Sequence, residues 1–286
     1  TFHNALSEEF YLRIAPELYL KMLIVGGFEK IYELGKSFRN EGIDRYHNPE
    51  FTMIEIYQAY ADYNDMMKLM QEIFLVCCDA LGYKDKFVYN DDGQTYEIYL
   101  NEFRKISFFE LFDKYVNIPL EKFLNNEVDD ETYKKLGVEI YETDENGTLQ
   151  RKSIKKLVDN VFEKHIQPHL VQPTFVIDYP KELSPLAKYK FENKKITERF
   201  EFYVATKEIA NAYSELNDPI EQYERFVKHT DKEEKMAMNL EFIVALEHGM
   251  PPTGGLGIGI DRLCMLLTNN NSIREVILFP LMKPIK

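Results

Sequence analysis

Between Phe38 and Tyr57 the chain gathers Arg39, Glu41, His47, Asn48, Phe51, Glu55 and Tyr57, the residue types that hold an extended, charged ligand. The segment reads as strand, polar loop, strand. Gly42 and Pro49 bound the loop, and β-branched and aromatic residues fill the arms. Side chains alternate along a strand, so Phe51, Met53, Glu55 and Tyr57 share one face and Thr52, Ile54, Ile56 and Gln58 take the other. An aromatic plate then lies about 13 Å from a carboxylate beside a phenol, at roughly 3.3 Å per residue. On the incoming arm Arg39 and Glu41 share a face. A strand packed only on a core does not spend that much charge on one side; the floor of a ligand site does.

Two further segments carry chemistry. Glu198 to Val204 and Glu208 to Leu216 read as the arms of a hairpin turning near Thr206 and Lys207. On its returning arm Asn211, Tyr213 and Glu215 share one face, and Ala210, Ala212 and Ser214 the other. A carboxamide, a phenol and a carboxylate in a row are costly to bury without a partner, so a ligand is expected there. Glu201 and Glu208, on opposite arms, could converge, and carboxylates without cysteine or histidine suit Mg²⁺. Near the C-terminus, Gly254-Gly255-Leu256-Gly257-Ile258-Gly259-Ile260-Asp261-Arg262 reads as a glycine-rich strand entering an apolar helix. Its spacing fits neither the dinucleotide fingerprint nor a phosphate loop. Bare backbone there lets a ligand lie close, with Arg262 at the strand–helix junction.

The elements that must position these residues follow from periodicity and punctuation. Residues 16–26 read as a helix with Pro16 in its first turn and Gly26-Gly27 as its stop. Residues 61–81 read as a second, capped by Asp62 or Asn64 and stopped by Gly82, its methionine stripe serving the core. Residues 88–97 form a hairpin around Asp91-Asp92-Gly93. Residues 110–115, 153–165 and 231–247 are expected to be helical, the last with Asp231 and Glu233 in its first turn. Residues 129–148 read as a charged excursion turning at Asn146-Gly147.

Together the two strand–loop segments resemble motifs 2 and 3 of the class II aminoacyl-tRNA synthetases. Arg13-Ile14-Ala15-Pro16-Glu17-Leu18-Tyr19-Leu20-Lys21 and Ala210-Asn211-Ala212-Tyr213-Ser214-Glu215-Leu216-Asn217-Asp218-Pro219 are similar to the lysine-specific branch of that family. The resemblance covers residues 1–286 as one catalytic domain, is weakest over 113–150, and marks 113–170 as a variable helical insertion. It implies an α+β fold, a mostly antiparallel sheet flanked by helices with the active site on its open face. It also implies activation of L-lysine by ATP with Mg²⁺, and transfer to tRNA(Lys). Carried over by position, Arg39 would hold the α-phosphate and the substrate carboxylate, and Phe51 and Arg262 would sandwich the adenine. Glu41 would meet the adenine amine, and His47 the γ-phosphate; Asn48 and Gly257 would line the nucleotide site. Glu201 and Glu208 would bind Mg²⁺. Glu17 would take the α-ammonium, Asn211 the carboxylate, and Glu55, Tyr57 and Glu215 the distal ammonium, with Tyr213 on the methylenes. Arg39 and Arg262 would be the catalytic pair. Met53 shapes the ribose side or fills space.

Aspartyl- and asparaginyl-type relatives share the nucleotide site, but an aspartate pocket needs a cation where Glu55, Tyr57 and Glu215 stand. A lysine ligase acting on a protein acceptor and a non-catalytic binding module remain as rivals. Composition adds constraints. A net charge of −13 is unusual for a nucleic-acid binder, so most of the grip on tRNA is expected outside this chain. Family members carry an upstream anticodon-binding domain and motif 1, which builds a homodimer interface; Thr1 is expected to begin just after both. No run of 18 apolar residues suggests a membrane span. Cys77, Cys78 and Cys264 are too few for a zinc site and fit a reducing, cytoplasmic setting. None of His3, His165, His169, His229 and His248 has a partner at metal-ligand spacing.

Overall fold

Seven strands pair into one sheet in the computed structural model, which describes residues 2–40, 42–143, 147–228 and 240–282. The strands are β1 (Lys30–Phe38), β2 (Glu50–Ala59), β3 (Arg104–Ser107), β4 (Thr174–Ile177), β5 (Arg199–Val204), β6 (Lys207–Ser214) and β7 (Thr253–Gly259). Their order across the sheet is β1-β2-β7-β6-β5-β4-β3, and every pair is antiparallel except β3 with β4. The strands on which the candidate site residues were expected are therefore contiguous, and the class is the expected α+β. Seven helices matter here: α1 (Glu17–Val25), α2 (Tyr63–Ala80), α3 (Phe108–Tyr115), α4 (Ile154–His165), α5 (Pro219–Lys228), α6 (Leu240–Glu247) and α7 (Ile260–Leu267).

The back of the sheet is the larger core. Ile54 and Ile56 of β2, Ala210 and Ala212 of β6, and Leu256 and Ile258 of β7 pack on α2 and α7, as period-2 alternation requires. Helix α2 starts at a capping box in which Asp62 accepts from the amides of Asn64 and Asp65, while Asp65 accepts from the Asp62 amide. It ends at Gly82, whose φ of +81° suits glycine. Its Met66, Met70, Phe74 and Cys78 recur every four residues and are fully buried. Phe74 alone contributes on the order of 2–3 kcal/mol by burial. Gly254 lets α2 come this close: a β-carbon there would stand 2.9 Å from both the Asp62 carbonyl oxygen and Met66 Cγ.

Among the described residues, the front of the sheet is covered only at its ends. Leu20 and Ile24 of α1, Phe226 of α5 and Phe242 and Leu246 of α6 close over Tyr57 and Ala59. On the other flank Phe108, Phe112, Val158 and Phe162 of α3 and α4 pack on Val176, Tyr179 and Tyr203. Between these caps the sheet is open, and the cleft lies there.

Several local expectations shift. Helix α3 starts at Phe108 rather than 110, with the Glu110 carboxylate accepting from the Ser107 amide. The charged excursion over 129–148 carries regular elements: Asp129 caps a short helix, Asp130–Lys135, and Tyr141–Thr143 pairs with Leu149–Arg151. Tyr133, Val138 and Ile140, sparse among charges, supply the buried contacts that hold this segment on the second core. Asn146, and Asp231 and Glu233 of the helix expected over 231–247, lie outside the described residues.

Candidate active site

Residues paired across neighbouring strands share a face, so the register itself lays out the site. One row reads Ile31, Tyr57, Gly255, Tyr213, Arg199, and the next reads Glu33, Glu55, Gly257, Asn211, Glu201. The middle strand, β7, puts no side chain into either row. Its glycines form a trough, with Glu55 and Tyr57 as one wall and Asn211 and Tyr213 as the other. A cavity of about 390 Å³ follows the trough.

Glu208 reaches this cavity through an irregularity. Strict alternation puts it on the opposite face from Asn211. A bulge on β6 opposite Phe202 and Tyr203 inserts one residue, so Glu208 pairs with Tyr203 and returns to the face of Glu201. The β5–β6 turn, at Ala205 and Thr206, has φ of +49° and +64°, the left-handed pair of a two-residue hairpin.

At one end of the cavity stand the cations. Arg39, just past β1, donates to the Ile14 carbonyl at 3.4 Å, and its guanidinium lies 5.0 Å from the centre of the Phe51 ring. Arg262, in the first turn of α7, donates to the Glu208 carbonyl at 3.2 Å and approaches its carboxylate at 3.4 Å. Its other nitrogen lies 3.2 Å from His47 Nε2, and His47 Nδ1 lies 2.8 Å from the Asp44 carboxylate. Those contacts assign the proton to Nδ1, with Nε2 accepting from Arg262. Burial would raise the Asp44 carboxyl, but hydrogen bonds from His47 and the Tyr46 amide outweigh it and hold it low. Arg39 and Arg262 thus face one cavity. Asn48 lines it too, its amide donating to the Glu50 carbonyl at 2.6 Å.

Glu201 sits behind this wall and does not line the cavity. One of its oxygens accepts from Tyr179 at 2.6 Å and Tyr203 at 2.7 Å, and the other from Arg199 at 2.6 Å. Glu208 is the carboxylate that faces in; burial, then the charge of Glu201, pushes its carboxyl above the ordinary range. Arg199 also donates to Asn211 Oδ1 at 3.1 Å, which leaves the Asn211 NH₂ as the group turned to the cavity. A donor there suits a carboxylate.

The opposite end is acidic and deeply buried. Tyr57 donates to Glu55 at 2.8 Å, and Tyr213 donates to Glu17. Glu55 and Glu215 are 4% and 1% exposed. Burial, then the Glu17 charge, raises the Glu55 carboxyl to about 7 against the opposing pull of Tyr57, Lys21 and Arg39. Burial raises Glu215 to about 8, although Lys21 pulls it down. Gly255 makes room for them: a β-carbon there would fall 1.9 Å from Glu215 Oε1 and 2.7 Å from Tyr57 Cε1.

The expected arrangement of three groups around an empty cationic site needs one correction. Lys21 already stands there, its ammonium 2.5 Å from Glu17 and paired with Glu215 Oε2. Sequence reasoning passed over Lys21, although its spacing of four from Glu17 on one helix face signals a pair. It also passed over Arg199, two residues before Glu201 on the same strand face, and Asp44, three residues before His47. The Phe51 ring, expected to sandwich the adenine with Arg262, carries the Arg39 guanidinium against it. Glu41 lies outside the described residues.

The chain can therefore neutralise phosphate-like charge at one end of a bare-backbone trough and bind ammonium groups at the other. Known proteins similar to this chain are lysine–tRNA ligases. The chain is 51% identical over 296 residues to a lysine–tRNA ligase of Pelotomaculum thermopropionicum, covering 99% of this chain and 55% of that protein. To the lysine–tRNA ligase of Aquifex aeolicus it is 50% identical over 291 residues, covering 100% and 47% respectively, and to that of Clostridium tetani 47% over 289, covering 99% and 56%. It spans about half the length of these relatives. The family described as tRNA synthetases class II (D, K and N) matches residues 1–283, and with its sheet, bare-backbone trough and paired arginines in place the chain belongs to that family.

Proposed function

We propose that this chain activates L-lysine with ATP and passes the lysyl group to tRNA(Lys). A lysine carboxylate oxygen attacks the α-phosphorus, the bond from that phosphorus to the bridging oxygen breaks, and pyrophosphate leaves. A terminal hydroxyl of the tRNA then attacks the lysyl carbonyl, and AMP leaves. Both reactants of the first step are anions, so the protein's task is charge neutralisation and alignment. Arg39 is placed to hold the α-phosphate and the incoming carboxylate together, a bidentate task that lysine performs poorly. The Asn211 NH₂ orients the same carboxylate. Arg262 and His47 meet the outer phosphates, and adenine stacks on Phe51, using the face that Arg39 leaves open or displacing it.

The observation that carries the reading is the charge of the buried end. Glu17, Glu55 and Glu215 face one internal ammonium, Lys21, so that once all three acids ionise around a bound ligand they carry two negative charges in excess for the two ammonium groups of lysine. An aspartate side chain would meet like charge there, a penalty of several kcal/mol.

Mg²⁺ fits this donor set in a limited way. No group of three or more His, Cys, Asp or Glu among the described residues is arranged to hold a metal. Glu208, with Glu201 behind it, would hold the ion together with phosphate oxygens, the mode Mg²⁺ favours. The ion would supply further neutralisation of the phosphates, and it would offset the repulsion between the two carboxylates.

Residues 1–286 serve as the catalytic domain, with 113–170 as an insertion carried on its flank. The full enzyme acts as a homodimer in the cytoplasm. Three free thiols, Cys77, Cys78 and Cys264, support that setting. The test is Glu55→Gln. Loss of one partner of a buried ion pair costs on the order of 3–5 kcal/mol, so lysine-dependent ATP–pyrophosphate exchange should fall at least about a hundredfold in kcat/KM. ATP affinity should stay within about threefold. Undiminished lysine activation would remove Glu55 from the amino-acid pocket.

A further inference from the structure

Lys21 is the least expected group in the cleft. Its side chain is 1% exposed, and its ammonium lies 5.3 Å from the Tyr213 ring and 5.9 Å from the Phe242 ring, so aromatic surface shuts it from water. Burying an ammonium costs several kcal/mol unless it is well paired, and an apolar residue of similar volume commonly serves a helix face as well or better. Stability therefore gives little reason for a lysine here.

Its partners suggest the reason. From α1 Lys21 meets Glu17, and from the end of β6 it meets Glu215, with Tyr213 between them donating to Glu17. From β2 the nearby groups are Glu55 and Tyr57, which pair with each other, and α6 contributes the Phe242 ring. Arg39 bears on Glu55 from the far end of the cleft. Both carboxylates held by Lys21 keep capacity on the cavity side. Glu17 is 18% exposed, and Glu215 Oε1 is buried with no hydrogen-bond donor.

Resting on the reading that this pocket takes lysine, we propose that Lys21 is a positioning residue for amino-acid selection: clamped between Glu17 and Glu215 from behind, it holds the two carboxylates at a fixed separation for the two ammonium groups of one diamino acid. A cation beside a cation-binding pocket would otherwise oppose the substrate. Here its charge opposes the burial that raises Glu215 and Glu55, so that both acids stay within reach of ionisation near physiological pH when a substrate ammonium arrives.

The test is Lys21→Met, with lysine affinity, lysine KM and kcat followed from pH 6 to about 9.5 beside ATP affinity. The expected result at neutral pH is a loss of lysine affinity of about a hundredfold or more, the scale of breaking a buried pair. That loss should shrink as pH rises and the acids ionise without help, with ATP affinity unchanged throughout. Simple repulsion by Lys21 predicts tighter lysine binding in the variant, and a purely structural lysine predicts an unmoved pH profile; either result overturns the inference. Should Lys21→Met fail to fold, nitrogen-detected NMR of the unmutated chain decides: the Lys21 ammonium should stay protonated and slowly exchanging when lysine is added, and its release into rapid exchange would count against the clamp. If the unmutated chain does not bind lysine, the functional reading fails; intact binding with an unmoved variant profile defeats the clamp alone.

Discussion

Gly255→Ala should disable amino-acid recognition by sterics alone, with no change of charge. A methyl at this position would sit 1.9 Å from Glu215 Oε1, 3.1 Å from Glu215 Cδ and 2.7 Å from Tyr57 Cε1. Favourable carbon contacts begin near 3.5 Å, so the carboxylate must retreat by roughly 1.5 Å. It has little room: Glu215 is 1% exposed and tied to Lys21, and Tyr57 is 4% exposed. Overpacking of this kind costs about 1–3 kcal/mol, a fall in Tm of about 2–8 °C for a chain of this size. Displacing Glu215 from its pair should also cost lysine affinity about two decades. Gly257→Ala is the control, because its methyl would meet Asn211 O, Met53 Cε and Glu55 Cγ at 3.8–4.0 Å, ordinary contact. Its stability should stay within about 0.5 kcal/mol of the parent, while the methyl narrows the trough and weakens ligand binding. Thermal denaturation and calorimetric titration with lysine and ATP separate the two. Parental Tm and lysine affinity in Gly255→Ala would refute the claim that bare backbone seats Glu215. Parental ligand affinities in Gly257→Ala would mean that no ligand follows the glycine trough.

Two other outcomes follow from the electrostatics. Glu55 and Glu215 hold protons up to about 7 and about 8, and a bound ammonium favours their ionised forms, so lysine binding should release protons. Affinity should then rise from pH 6 to about 8, and the ligand-free chain should lose stability over the rise above pH 5, since the folded state binds more protons than the unfolded one there. Calorimetry in buffers of different ionisation heat checks the sign, and proton uptake would contradict it. Glu208→Gln, which removes the cavity-facing carboxylate, should raise the Mg²⁺ needed for half-maximal exchange by about tenfold or more; an unmoved titration would exclude Glu208 from metal binding.

Much of this site was legible because β2 is one-sided. Phe51, Met53, Glu55 and Tyr57 alternate with Ile54 and Ile56, and a period of two cannot be satisfied any other way once the apolar set faces α2. The glycines of β7 were equally plain, although only the register shows that Gly255 and Gly257 lie between two polar walls. Glu208 was harder to place, because the bulge that turns it inward leaves no mark in the residue types. Lys21 was hidden for a different reason. A Glu–Lys pair four apart on a helix is ordinarily a solvated surface pair, and only the packing of α6 and Tyr213 over it reveals burial. The segment over 129–148 read only as a charged excursion because Tyr133, Val138 and Ile140 follow no helical or strand period, yet all three enter a core.

The central claim is that the acidic end of the trough selects lysine. ATP–pyrophosphate exchange by the unmutated chain, measured separately with lysine, aspartate and asparagine at pH 8, tests it most directly. Exchange should depend on lysine, with aspartate slower by at least about a thousandfold, as a like-charge penalty of several kcal/mol requires. Exchange supported by aspartate or asparagine and not by lysine would contradict the assignment of Glu17, Glu55 and Glu215 to the amino-acid pocket.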